Sequence, residues 1–302
     1  MSAETTYIDL LRSLATHPGA RAFADDAALL PVGGETLILT HDSIAEGVHV
    51  RHGTDPADVA WKLIATNLSD LAAKGAEPLG VLTSHALGAA DWDAGFVEGL
   101  RAVLHRYDVP LLGGDTIRLP ADAPRVFGCT AIGRATCDPV PARSGAQPGD
   151  GLWLIGAIGD AFAGFTLLEA GDVPHRSLAD AYLRPRPLLD EGRALAPLVN
   201  AMMDVSDGVL VDAARMARAS GLSLDIRRDA IPLSQAARAA VPDRLEEAIR
   251  WGDDYALLAA APPEARLPVP ATCIGRFGAP SSRGVALDGQ RLDEAATGGY
   301  LH

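Results

Sequence analysis

The chain has 302 residues, 48% of them hydrophobic, and a formal charge of −13, so it suits two domains of roughly 140–160 residues, each with its own core. The acidic balance argues against nucleic acid or an anionic membrane as the main partner. Cys129, Cys137 and Cys273 show no C-x-x-C spacing, and no stretch reads as a leader or a membrane span, so the expectation is a reduced, cytoplasmic protein without disulfides or zinc.

Tyr7, Ile8, Leu10, Leu11 and Leu14 predict a short amphipathic helix closed by His17-Pro18-Gly19. After F-A-D-D-A-A-L-L-P and a Gly33-Gly34 turn, T-L-I-L-T predicts a buried strand running into His41-Asp42-Ser43 and the loop E-G-V-H-V-R-H-G. Asp55 as N-cap and Pro56 in the first turn then open the most informative helix, stopped by Gly75 and Pro78. Trp61, Ile64, Ala65, Leu68, Leu71 and Ala72 form its apolar face, while Asn67, Asp70 and Lys74 form a polar stripe. Alone, that stripe is what an amphipathic helix shows to water, and Asp70 with Lys74 has i,i+4 ion-pair spacing.

Beyond it, P-L-G-V-L-T-S-H-A-L predicts a strand, residues 92–107 a helix, and V-P-L-L a run that breaks at Gly113-Gly114-Asp115-Thr116. R-V-F-G-C-T-A-I-G is a further strand. The Pro/Gly-rich C-D-P-V-P-A-R-S-G-A-Q-P-G-D predicts a linker, dividing the chain into domains 1–138 and 139–302. In the second half G-L-W-L-I-G predicts a strand and G-D-A-F-A-G a small-residue helix. A-M-M-D-V-S-D-G enters a helix over 209–219, with Ser206 or Asp207 as its cap. L-S-L-D-I and W-G-D-D-Y-A-L-L-A-A supply further strands.

A carboxylate recurs wherever an apolar run meets a turn: Asp25-Asp26, Asp42, Asp115, Asp204 with Asp207, and Asp253-Asp254. Strand ends on one side of a sheet converge, so these groups are expected to line one cleft. Ionised carboxylates at close quarters repel unless a cation fills the space, and hard oxygens without Cys or His at zinc spacing favour Mg²⁺, commonly shared with phosphate. Each pair alone is an ordinary turn feature; it is the set that carries weight. The chain lacks G-x-x-x-x-G-K-S/T, the protein-kinase H-R-D and D-F-G motifs, a Rossmann G-x-G-x-x-G and G-x-S-x-G, which removes several common catalytic classes.

Taken in order, D-D-A-A-L-L, T-H-D, E-G-V-H, N-L-S-D-L-A-A-K-G-A-E-P, G-G-D-T, R-S-G-A-Q-P-G-D, D-V-S-D-G and G-D-D-Y-A-L-L cover nearly the whole chain. This set resembles the thiamine-monophosphate kinase family, in the larger group that includes aminoimidazole ribonucleotide synthetase and selenophosphate synthetase. The resemblance implies a two-domain α+β fold, a homodimer whose N-terminal sheets join, and a sandwich-like α/β C-terminal domain. It implies Mg²⁺-dependent transfer of the ATP γ-phosphoryl group to thiamine monophosphate, with several Mg²⁺ ions and no covalent protein nucleophile. Asp26, Thr40, His41, Asp42, Asp70, Asp115, Asp204 and Asp207 then match metal positions. Gly114, Asp115, Arg143 and Ser206 match nucleotide positions, and His49, Asp253 and Tyr300 match acceptor positions, with Tyr300 as a stacking surface. Three departures touch the site: Ala24 replaces a usual glycine, His41 a hydroxyl residue, and Trp251-Gly252-Asp253-Asp254 the usual G-G-E-D. A related enzyme with another acceptor and a non-catalytic ATP-binding paralogue therefore stand as alternatives.

Overall fold

In the computed structural model, which describes residues 3–120, 123–171, 176–280 and 284–292, one long helix is packed between the elements of two sheets. The first half runs α1 (Ala3–Arg12), β1 (Ala28–Val32), β2 (Glu35–Ala45), α2 (Pro56–Ala73), β3 (Ala76–Leu87), α3 (Ala90–Tyr107), β4 (Leu111–Arg118) and β5 (Val126–Ala135). Its five strands pair in the order β1-β2-β5-β3-β4, antiparallel except for β3 and β4, which α3 connects as a parallel pair. The second half runs β6 (Gly151–Ile155), α4 (Asp160–Ala170), α5 (Arg176–Leu183), α6 (Leu189–Leu195), β7 (Ala201–Val205), α7 (Val209–Ala219) and β8 (Ser223–Ile226). It continues with α8 (Gln235–Ala240), α9 (Leu245–Arg250), β9 (Ala256–Ala261), β10 (Thr272–Gly278), β11 (Val285–Leu287) and β12 (Gln290–Arg291). These seven strands order as β12-β11-β8-β10-β6-β9-β7. The architecture is α+β, and among the described residues no helix is long and apolar enough to cross a membrane.

α2 starts as its sequence predicts, with Pro56 in the first turn and the Asp55 carboxylate accepting from Ala57 N at 2.8 Å. Gly75 follows its end at φ +59°, a conformation that favours glycine. Leu63, Ile64, Leu68 and Leu71 are fully buried, each contributing about 1.5–3 kcal/mol relative to exposure. The core they join is continuous with Leu188, Leu195, Met202 and Leu257 of the second half. At Gly192 of α6 a Cβ would lie 2.0 Å from the Ala72 carbonyl oxygen, so α6 packs directly on the α2 backbone. The polar stripe is not a solvent face: Asn67 and Lys74 are both fully buried, and Asp70 borders the internal cavity. α2 is a central helix, covered on all sides.

Three local expectations are corrected. The strand predicted over T-L-I-L-T does not end before His41-Asp42-Ser43, because β2 continues to Ala45 and pairs with β5 from Leu37 onwards; strand alternation then sends Thr40 and Asp42 to one face and His41 to the other. Gly113-Gly114-Asp115 is not a turn but the middle of β4, where a Cβ on Gly114 would sit 1.9 Å from the Thr83 carbonyl oxygen. α7 is capped by neither Ser206 nor Asp207. Asp212, inside its first turns, accepts from Asp207 N at 3.0 Å and Gly208 N at 3.1 Å.

Candidate active site

A cavity of about 1010 Å³ opens between the face of β2, α2 and the loops after β7 and α9. At its floor Asp26, Asp70 and Asp204 each offer a carboxylate oxygen, and these atoms lie within 4.8 Å of one another. Asp26 precedes β1, Asp70 lies near the C-terminal end of α2, and Asp204 is the last residue but one of β7, so three separate elements meet here. Thr40 Oγ1 donates to Asp70 at 2.5 Å and Ser69 Oγ donates to Asp204 at 2.7 Å, fixing one oxygen of each. Asn67 Oδ1 accepts from Asp42 N at 3.0 Å and so ties α2 to β2 beside the cluster. Asp42 and Asp207 line the same cavity, Asp207 in an ion pair with Arg215.

Charge in the cluster is unevenly balanced. Burial, then Asp42 and Asp204, push the Asp70 carboxyl well above the ordinary range. Burial, then Asp26, do the same to Asp204 against the Ser69 hydrogen bond. Burial also opposes ionisation of Asp26, but Lys74 and Arg143 outweigh it and hold this carboxyl low. Arg143 Nε donates to Asp26 Oδ1 at 2.6 Å. Lys74 Nζ lies 2.5 Å from Asp25 Oδ1 and 2.7 Å from Asp26 Oδ2, so it pairs with the residues before β1 and not with Asp70. Asp26 Oδ2 is buried and, despite that proximity, has no well-formed hydrogen bond. Three convergent hard oxygens, two of them tending to keep protons, fit a small divalent cation.

At the other end of the cavity Asp253 is held by both its oxygens. Lys62 Nζ reaches Oδ2 at 2.9 Å and Tyr255 Oη donates to Oδ1 at 3.0 Å. Lys62 also donates to the His49 carbonyl at 3.1 Å, and His49 Nδ1 accepts from Ala45 N at 3.1 Å. The Asp253 turn is anchored to the Asp204 loop: Asp253 N donates to the Ser206 carbonyl and Tyr255 N to that of Val205, both at 2.8 Å. Asp253 and Tyr255 have φ of 66° and 49°, strained conformations of a kind that collects at functional sites. Asp254 turns inward to accept from Gly159 N at 2.9 Å and is structural.

The cavity thus collects Asp26, Asp42, Asp70, Asp204, Asp207, Arg143, Ser206, His49 and Asp253, with Thr40 one hydrogen bond behind. His41, Gly114 and Asp115 are elsewhere, lining a separate hollow of about 320 Å³ with Thr83 and Thr130 on the opposite side of the sheet. Tyr300 lies outside the described residues. The motifs single out Asp25 together with Asp26, but not Lys62, Ser69, Asp212 or Arg215. One signal was available: Lys62 and Lys74 are the only lysines in the chain, and both are fully buried, Lys62 within α2 beside Asp253 and Lys74 just after its end beside Asp25 and Asp26. A compact ammonium fits such a position where a planar guanidinium does not.

Family models for the AIR synthase related protein match this chain over residues 24–135 for the N-terminal domain and 147–277 for the C-terminal domain. Thiamine-monophosphate kinase of Salmonella typhimurium is 36% identical over 84% of this chain and 83% of its own. That of Halobacterium salinarum is 32% identical over 99% of both. Among solved structures, AaThiL complexed with AMPPCP and TMP superposes with a TM-score of 0.90 at 28% identity, covering 99% of this chain and 96% of that one.

Proposed function

Because the chain belongs to the thiamine-monophosphate kinase family of AIR synthase related proteins, we propose that it transfers the γ-phosphoryl group of ATP to the phosphate of thiamine monophosphate. The observation that carries this reading is the convergence of Asp26, Asp70 and Asp204 within 4.8 Å at the floor of a deep cavity. Mg²⁺ bound there would neutralise carboxylates and phosphate oxygens together, which phosphoryl transfer needs more than a protein nucleophile.

The chain's own residues supply the positioning. Asp26, Asp70 and Asp204 present the hard oxygens, Asp42 and Asp207 add carboxylates to the same space, and Thr40 and Ser69 hold Asp70 and Asp204 in register. Arg143 and Ser206 stand beside the cluster as nucleotide contacts. Asp253, with both oxygens oriented, and His49 form the acceptor end; Tyr300 is assigned there on sequence grounds alone. We assign His41, Gly114 and Asp115 to the same site through a homodimer. All eight residues of β4 are exposed, and Leu112 and Ile117 on it are 55% and 52% accessible. An exposed edge strand carrying bare aliphatic side chains suits pairing with a second copy. That contact would carry Gly114 and Asp115 of one protomer to the phosphates held by the other. A cytoplasmic location agrees with ATP as co-substrate and with three free cysteines.

The test is formation of thiamine diphosphate and ADP from thiamine monophosphate, ATP and Mg²⁺, followed by chromatography. Asp70→Asn should lower turnover by at least about a hundredfold while keeping the fold, since a neutral amide removes the charge that burial opposes. Wild-type rates in Asp70→Asn would overturn the metal assignment. ADP release with some other phosphate ester, and none with thiamine monophosphate, would overturn the acceptor.

A further inference from the structure

An aromatic wall lines the cavity beside Asp253. Trp251 stacks on Phe165 with ring centres 5.0 Å apart and 26° between planes. Phe162 meets Trp251 at 5.5 Å and Tyr182 meets Phe165 edge-on at 5.3 Å. The wall closes onto the acceptor end, because Tyr182 Oη reaches the His49 carbonyl at 3.5 Å and Lys62 joins that carbonyl to Asp253.

Two of these rings are already served by cations. Lys62 Nζ lies 4.0 Å from the Tyr182 ring centre, and the Arg244 guanidinium 4.7 Å from that of Phe162; both rings are buried. Among the described residues no cation lies over Phe165 or Trp251, and both are half-buried where they border the cavity. A stacked, partly open aromatic pair two residues from an oriented carboxylate is a site for a flat ring bearing positive charge.

We propose that the Phe165–Trp251 pair docks the positively charged ring system of the acceptor and that Trp251 determines acceptor specificity. The proposal rests on thiamine monophosphate being the acceptor. Its thiazolium carries a permanent positive charge, which an aromatic face attracts and the nearby Asp253 carboxylate complements. The phosphate would then extend from the wall towards the Asp26–Asp70–Asp204 cluster, so that one molecule spans both ends of the cavity.

The full-length chain is compared with Trp251→Leu and Trp251→Phe in steady-state assays that vary thiamine monophosphate and ATP separately, with melting curves as a control for folding. Trp251→Leu should raise KM for thiamine monophosphate by about tenfold, leaving kcat and KM for ATP within about twofold, and Trp251→Phe should recover most of the loss. An unchanged acceptor KM in a folded Trp251→Leu protein overturns the proposal, as does a change confined to KM for ATP. Should Trp251→Leu fail to fold, Phe165→Leu is read by the same criteria. Wild-type turnover separates the two failures. A wild-type chain that makes thiamine diphosphate while the variants keep their KM sinks this assignment alone; a wild-type chain that makes none sinks the acceptor reading and this assignment with it.

Discussion

Asp70 and Asp204 carry the clearest consequence at the scale of single residues. Their raised pKa values mean that, without metal, the folded chain retains protons that the unfolded chain has released once pH exceeds the ordinary aspartate value of 3.8. Metal-free stability therefore falls as pH rises through the raised values. Asp26 has the opposite sign, but its lowered pKa makes a contribution that is lost only in strong acid, outside this window. Mg²⁺ binds the ionised form and should reverse the loss. Its stabilisation, read as a shift in Tm across a pH series, should be smallest at the acid end and grow as pH rises through the raised values. A shift that stays constant across the whole series would mean that the cluster is not where the metal binds. The aspartates were legible in the sequence because each follows or precedes an apolar run in a recognisable motif. Lys74 was not: helical spacing offered Asp70 as its partner, whereas the tertiary fold brings Asp25 and Asp26 to 2.5 and 2.7 Å. Spacing within one helix cannot show what another segment lays across it.

α2 is the element through which residue chemistry and packing meet. Its apolar face and N-cap were readable from periodicity, but the stripe of Asn67, Asp70 and Lys74 reads as a wet face when taken alone and as a cleft floor only beside the other aspartates, because a polar face turned towards a second domain has the same period as one turned towards solvent. Strand boundaries failed for a related reason. Acidic and glycine residues weaken a β pattern, but His41–Ser43 and Gly113–Asp115 stay in strands because they pair along β5 and β3. Since α2 packs on the first sheet and on α6, loosening it should disturb site and fold together. Leu68, fully buried two residues before Asp70, is the direct probe. Leu68→Ala should cost about 2–5 kcal/mol in denaturant unfolding and lower kcat along with stability. A loss below about 0.5 kcal/mol, the usual range for surface positions, would show that α2 is not the shared core helix.

Over the whole molecule, the two-domain α+β layout was legible because the motifs fall in order along both halves of the chain. What one copy does not unite is His41, Gly114 and Asp115 with the remaining carboxylates: strand alternation and the position of β4 put them across the sheet. The proposed dimer, pairing exposed β4 edges, would resolve this separation, because each site would draw Asp70 from one chain and Asp115 from its partner. Complementation tests that geometry. Asp70→Asn and Asp115→Asn should each be inactive alone, since every site in either homodimer lacks one carboxylate. Mixed, dissociated and reassociated at equal amounts, half of the dimers should be heterodimers, and each of these should hold one intact site. Activity should therefore recover to about a quarter of wild type. If Asp70 and Asp115 served the same site within one chain, no mixture could restore it, and the recovered activity would be zero. If Asp115 served no site, its own variant would be active before mixing.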